Sequence, residues 1–180
     1  MQNNWQQSEY IRAYRFAAQA HQGQTFPGTA LPYSMHLSFV SMEVIAVLGI
    51  EKAWNGDLAV QCALLHDVIE DTDIGYEDVL AEFGEQVAQG VLALTKDSKL
   101  AKQDRMPDSL RRIQQQPQEV WLVKLADRTV NLEPPPHYWT KEKRANYRDE
   151  ALVIHQALHP ASDYLGKRLL DKIKAYEKYL

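Results

Sequence analysis

Asp57-Leu58-Ala59-Val60-Gln61-Cys62-Ala63-Leu64-Leu65-His66-Asp67-Val68-Ile69-Glu70-Asp71 is the stretch on which the reading of this chain turns. Asp57 is a good N-cap, because a carboxylate oxygen can accept from the free N–H groups of a first helical turn. The apolar residues after it predict a helix from Leu58 to about His66-Asp67. At the end of that run, four groups capable of metal binding or proton transfer fall within six positions, 66 to 71. If the helix continues, His66 shares a face with Glu70 and Asp67 with Asp71. Acids at the end of a buried helix are costly unless a cation or a water-filled cleft compensates them. A neutral imidazole nitrogen beside a carboxylate oxygen suits a borderline divalent metal such as Mn²⁺, Fe²⁺ or Zn²⁺. Two ligands do not close a site, so partners must come from elsewhere in the chain.

Two candidates stand out. His36 follows Pro32-Tyr33-Ser34-Met35, just inside a second expected helix, and Asp127 interrupts the apolar Val123-Lys124-Leu125-Ala126. Asn131 lies one turn after Asp127 and shares its face. Two histidines and two carboxylates fill four positions and leave room for water and a substrate oxygen, with Glu70 and Asp71 near enough to move a proton. Taken singly, each residue also has a plain reading. His36 reads as a hydrogen-bonded helix histidine, His66-Asp67 as a helix terminus, Asp127-Arg128 as a surface ion pair, and Glu70, Asp71 and Asp73 as a solvated acidic turn. Spacing alone does not decide between these readings.

Outward from this stretch the signals are helical, and the fold class expected is all-α. Tyr10, Tyr14, Ala17, Ala18 and His21 keep helical spacing up to Gly23, and the glycines and prolines of Gly23–Pro32 mark a loop. Helices are expected from Ser34 to Leu48, over Glu77–Phe83 and Glu85–Leu94 meeting at Gly84, near Ser109–Gln116, and from Pro117 through Val130. Lys96 to Arg105 reads as a charged connector, Asn55-Gly56 as an interhelical turn, and Pro134-Pro135-Pro136 as a firm stop. Ala151, Ile154 and Leu158, then Leu165, Leu169, Ile173, Tyr176 and Leu180, give core-facing periodicity broken near Pro160.

Composition narrows the function classes. The 180 residues, 45% of them apolar, fit one globular domain spanning the chain. A net charge of -4 argues against broad nucleic-acid binding, and no apolar run approaches the roughly 20 residues of a membrane span. Met1-Gln2-Asn3-Asn4-Trp5 lacks the build of a signal peptide. Cys62 is the only cysteine, so no internal disulfide forms and a reducing cytoplasm is expected. Its apolar surroundings point to a buried thiol rather than a nucleophile.

An ordered set of motifs extends over roughly residues 10 to 155. It comprises Ala20-His21-Gln22-Gly23-Gln24, Gly28-Thr29, Pro32-Tyr33 leading to His36, Leu64-Leu65-His66-Asp67-Val68-Ile69-Glu70-Asp71-Thr72, Phe83-Gly84, Leu94-Thr95-Lys96, and Lys124-Leu125-Ala126-Asp127-Arg128 with Asn131. The set resembles the HD-domain superfamily, and within it the hydrolase domain of Rel/SpoT-type alarmone enzymes and their small stand-alone relatives. That resemblance implies a compact helical bundle with His36, His66, Asp67 and Asp127 as ligands of a divalent metal, usually Mn²⁺. It implies Glu70 and Asp71 as the acids that activate water, and Asn131 near the substrate ribose and phosphates. The reaction implied is removal of the 3′-pyrophosphate of ppGpp or pppGpp, a small nucleotide, in the stringent response.

The chain also departs from the family pattern. Thr25-Phe26 stands where a basic pair is usual, Thr129-Val130 where Leu-His is usual, and the triproline run is unlike the common sequence. Lys124 and Arg128 are the leading replacement cations for phosphate, and Phe26 offers a face for a base or a small hydrophobic anchor. His21 either lines the pocket or caps its helix. The alternatives carried forward are hydrolysis of another nucleotide and a catalytically weak metal- or nucleotide-binding module.

Overall fold

The computed structural model describes residues 4–51 and 54–180. Part of the signal-peptide reading rests on residues 1–3, which lie outside that range. The helices are α1 (Gln7–Ala20), α2 (Ser34–Ile50), α3 (Gly56–Leu65), α4 (Val68–Asp71), α5 (Tyr76–Phe83), α6 (Glu85–Leu94), α7 (Lys102–Ile113), α8 (Gln118–Asn131), α9 (Lys141–Leu158) and α10 (Asp163–Tyr176). Among the described residues there is no strand, only an isolated antiparallel bridge between Thr25 and Pro32 inside the first loop. The expected all-α fold is what the chain adopts.

Helix α3 is the centre of the bundle. All its residues except Asp57 are buried, as befits a helix apolar on every side. It packs against α1, α2, α6 and α8, and α2 and α8 also pack on each other. The approach of α6 is close. A Cβ on Gly90 would sit 2.9 Å from Cys62 Sγ and 3.0 Å from Val120 Cγ2, so only glycine lets these helices meet there. Cys62 is buried and unpaired, and burial, aided by Glu119, pushes its thiol up to about 12. On the far side α9 and α10 cover α8. Arg168 of α10 grips Glu43 of α2 through two hydrogen bonds of 2.5 Å. No described helix is long and apolar enough to cross a membrane.

Several boundaries differ from the sequence reading. Asn55, not Asp57, caps α3, accepting from Leu58 N at 3.3 Å. Asp57 instead accepts two hydrogen bonds from Gln6, at 2.7 and 3.1 Å. Helix α7 opens at Lys102, within the charged connector, because Met106, Leu110 and Ile113 give it one buried face beneath solvated charges. Helix α9, whose start the sequence left unmarked, opens at Lys141, where Thr140 accepts from Lys143 N at 3.1 Å. Helix α3 does not run on through His66-Asp67. It stops at Leu65, the chain turns, and α4 begins at Val68.

Candidate metal centre and substrate cavity

The mutual packing of α2, α3 and α8 brings one polar residue from each to a single point. His36 sits in the first turn of α2, His66 caps the end of α3, Asp67 follows in the turn, and Asp127 lies near the end of α8. The two imidazoles face each other, Nε2 to Nε2, at 3.2 Å. Asp67 Oδ2 lies 2.9 Å from His66 Nε2 and 3.6 Å from His36 Nε2. Asp127 Oδ1 lies 3.5 and 3.7 Å from His36 and His66. Ligand atoms of His36, His66 and Asp67 all fall within 4.8 Å of one another.

The donor set fits a divalent cation. His66 Nδ1 is 2.8 Å from Ala63 O. A carbonyl only accepts, so Nδ1 carries the proton, and a neutral His66 turns the Nε2 lone pair toward the cluster. Two ring nitrogens and two carboxylates then converge on one point, and the single Lys124 ammonium beside Asp127 offsets only one of the two negative charges, so the set suits an added cation. The same demand shows in the proton affinities. Burial opposes charge on His66, yet Asp67 and Asp127 hold its proton up to about 10. Burial also opposes ionisation of Asp67 and Asp127, but His66 beside the first and Lys124 beside the second hold both carboxyls well below the usual range.

A cavity of about 310 Å³ opens beside this cluster. Phe26, Asp67, Glu70, Asp71, Lys124, Asp127, Arg128 and Asn131 all line it, whereas His21 and Thr25 do not. His21 lies behind the wall, its ring stacked on Tyr33 at 4.5 Å and its Nδ1 2.8 Å from Gln24 Oε1. Phe26 stacks over His36 at 5.6 Å. The loop that carries it closes on the triproline run, where a Cβ on Gly28 (φ +80°) would come 3.2 Å from Pro136 Cγ. Asn131 Nδ2 donates to Asp127 Oδ1 at 2.5 Å, and Lys124 Nζ donates to Asp127 Oδ2 at 3.1 Å. Arg128 donates to Glu150 and lies 4.2 Å over the Tyr147 ring.

Glu70 and Asp71 occupy different settings. Lys96 grips Glu70 twice, Nζ to Oε1 and backbone N to Oε2, both at 2.9 Å. Asp71 stays exposed at the cavity mouth. Desolvation there, then the Asp67 and Glu70 carboxylates, push its carboxyl up to about 6. Sequence reasoning missed Tyr33, whose hydroxyl donates to Asp67 Oδ2 and whose proton is held by burial and then by that carboxylate. Its place three residues before His36 was the available signal. In sequence Lys96 opens a charged connector, and its pairing across 26 residues leaves no local trace.

All three lining cations, Lys96, Lys124 and Arg128, are thus already paired, and six carboxylates line the same space. A substrate phosphate entering this cavity meets no unpaired side-chain cation among its lining residues.

Residues 13–162 match the family described as HD domain. The guanosine-3′,5′-bis(diphosphate) 3′-pyrophosphohydrolase MESH1 of Drosophila melanogaster is 32% identical over 145 residues, covering 78% of this chain and 79% of that protein. The guanosine-3′,5′-bis(diphosphate) 3′-pyrophosphohydrolase of Aquifex aeolicus is 33% identical over 155 residues, which cover 83% of this chain but only 21% of the longer bacterial protein. A solved structure described as a metazoan ortholog of SpoT that hydrolyzes ppGpp superposes with a TM-score of 0.81 at 29% identity, covering 95% of this chain and 97% of the other.

Proposed function

The chain belongs to the HD-domain family, and from that membership we propose that it is a metal-dependent phosphohydrolase removing the 3′-pyrophosphate of ppGpp or pppGpp. The observation that carries this reading is the convergence of His36, His66, Asp67 and Asp127 beside a cavity that also holds Glu70 and Asp71. In this reading the first four hold one divalent ion, Mn²⁺ by family resemblance. Such an ion polarises a phosphoryl oxygen and makes water more acidic. The whole chain, 1–180, acts as a single hydrolase domain on a small nucleotide, without nucleic-acid or membrane partners. Its lone, buried Cys62 suits a reducing cytoplasm.

The chain's own residues divide the remaining work. Glu70, fixed by Lys96, orients the attacking water, and Asp71, with its raised proton affinity, accepts a proton at the cavity mouth. The water oxygen bonds to the phosphorus attached at O3′ and the P–O3′ bond breaks. O3′ takes up a proton, giving GDP or GTP and pyrophosphate. Tyr33 and Lys124 fix the two metal-binding carboxylates, and Asn131 holds Asp127 while facing the sugar. The Phe26 loop and the triproline run exclude water from one side.

A second reading, hydrolysis of another nucleotide, is favoured by one observation. The cavity is rich in carboxylates and lacks the basic pair at Thr25-Phe26, which suits a substrate carrying fewer phosphates. A Mn²⁺-supplemented panel of ppGpp, pppGpp, nucleoside monophosphates and simple phosphomonoesters separates the two. The main reading expects ppGpp and pppGpp to be turned over, with a KM raised by the missing cations. Activity confined to monophosphates would replace it with the second.

A further inference from the structure

Helix α2 departs from the rule that a surface helix turns polar groups to solvent. Helices α7 and α9 carry many charges, but α2 has His36 and Glu43 as its only titratable side chains, and both are buried. Its outer face is apolar and uncovered among the described residues. Phe39 is 43% exposed, Met42 55% and Ile50 58%. Met35 and Ala46 are half-buried in the same row, and Gly49 is exposed.

The row has the spacing of a helix seam. Met35, Phe39, Met42, Ala46 and Gly49 follow one another at intervals of four, three, four and three, the repeat by which one helix meets another. The residues also grade from bulky at Met35, Phe39 and Met42 to small at Ala46 and Gly49. Gly49 has no positive φ, and a Cβ built there meets nothing within 4 Å among the described residues. Neither its backbone nor the packing of its own chain calls for glycine, so its bare surface is a notch open to a side chain from outside.

We propose that this row is the interface of a two-fold dimer, in which α2 pairs antiparallel with α2 of a second copy. Reversal sets bulky against small. Phe39 enters the notch at Gly49 of the partner subunit, and Met42 packs on Ala46 of the partner subunit, each contact occurring twice about the axis. A row without charge offers nothing for an acidic or basic partner to pair with, whereas two copies meet here with no like-charge contact. Phe39, Met42 and Ile50 expose roughly 300 Å² between them, taking about 150–250 Å² for a whole side chain of that size. With the rest of the row and its rim, including Arg168 where it holds Glu43, two copies bury roughly 1,000 Å², the lower limit for a specific interface. The dimer is therefore a dissociable one, with a Kd on the order of micromolar.

Sedimentation of the full chain over about 1–300 µM brackets such a Kd and tests the proposal. Wild type is expected to pass from the mass of one chain to twice that mass. Its melting temperature should rise with concentration, because association stabilises the folded state. Met42→Glu brings charge into the seam and should weaken the dimer at least about a hundredfold, and Gly49→Gln, which fills the notch, about tenfold. At the lowest concentration neither variant should melt below wild type, since Met42 is mostly exposed and Gly49 has open space around it. That separates lost association from lost folding. Under mild oxidation, Met42→Cys chains mixed with Ala46→Cys chains should form a disulfide-linked pair, and Met42→Cys chains alone should not. The buried Cys62 does not compete. A wild type that stays monomeric throughout, a dimer that both seam variants leave intact, or Met42→Cys chains that link as readily to themselves would overturn the interface.

Discussion

Asp67→Ala is expected to leave the protein folded, without bound metal and without hydrolytic activity. Asp67 sits in the turn between α3 and α4 rather than inside a helix, so its removal breaks no helical hydrogen bonding. What it removes is the carboxylate 2.9 Å from His66 Nε2 and 3.6 Å from His36 Nε2. With one anionic ligand gone from four, about one divalent ion per chain in wild type should fall to near none. A bound metal ion contributes several kcal/mol of transition-state charge stabilisation, so turnover should fall roughly 10³-fold or more. Metal analysis beside a helical circular-dichroism spectrum checks both parts. Full metal content in Asp67→Ala, and in a His66→Ala/Asp67→Ala double variant, would remove the cluster from the mechanism.

Glu70→Gln and Asp71→Asn should separate chemistry from metal binding. Each replacement keeps size and hydrogen-bonding capacity while removing the base. Neither residue lies in the inner cluster of His36, His66, Asp67 and Asp127, so about one metal per chain should survive. Turnover should drop by about 10²–10⁴, the usual share of a positioned base. In Glu70→Gln the amide nitrogen must also face one of the two Lys96 donors that now grip the carboxylate, so its orientation suffers together with its basicity. Steady-state kinetics at saturating Mn²⁺ measures the loss. Near-native rates in both variants would reduce Glu70 and Asp71 to a charged turn.

The inner cluster was legible because its residues break a pattern. His66 and Asp67 end the apolar run Cys62-Ala63-Leu64-Leu65, and Asp127 follows the mainly apolar residues 120–126, so each stands out where a hydrophobic side chain is expected. What joins them is the mutual packing of α2, α3 and α8, and no spacing rule reports which three helices meet. The starts of α7 and α9 were hidden because dense charge masks their apolar spacing, and at α7 it reads as a connector. The break at His66-Asp67 was hidden because Val68 is as apolar as a continuing helix requires. Lys124 and Arg128 looked available for phosphate in sequence. The engagement of Arg128 with Glu150 is tertiary, whereas Lys124 meets Asp127 within α8, three residues along the same helix.

Metal-dependent release of pyrophosphate from the 3′ position is tested by product analysis of ppGpp incubated with the Mn²⁺-loaded protein. GDP and pyrophosphate are expected in equal amounts, with formation that stops on chelation and recovers when Mn²⁺ is returned. Orthophosphate as the released product, turnover indifferent to chelation, or intact ppGpp under saturating Mn²⁺ would contradict it.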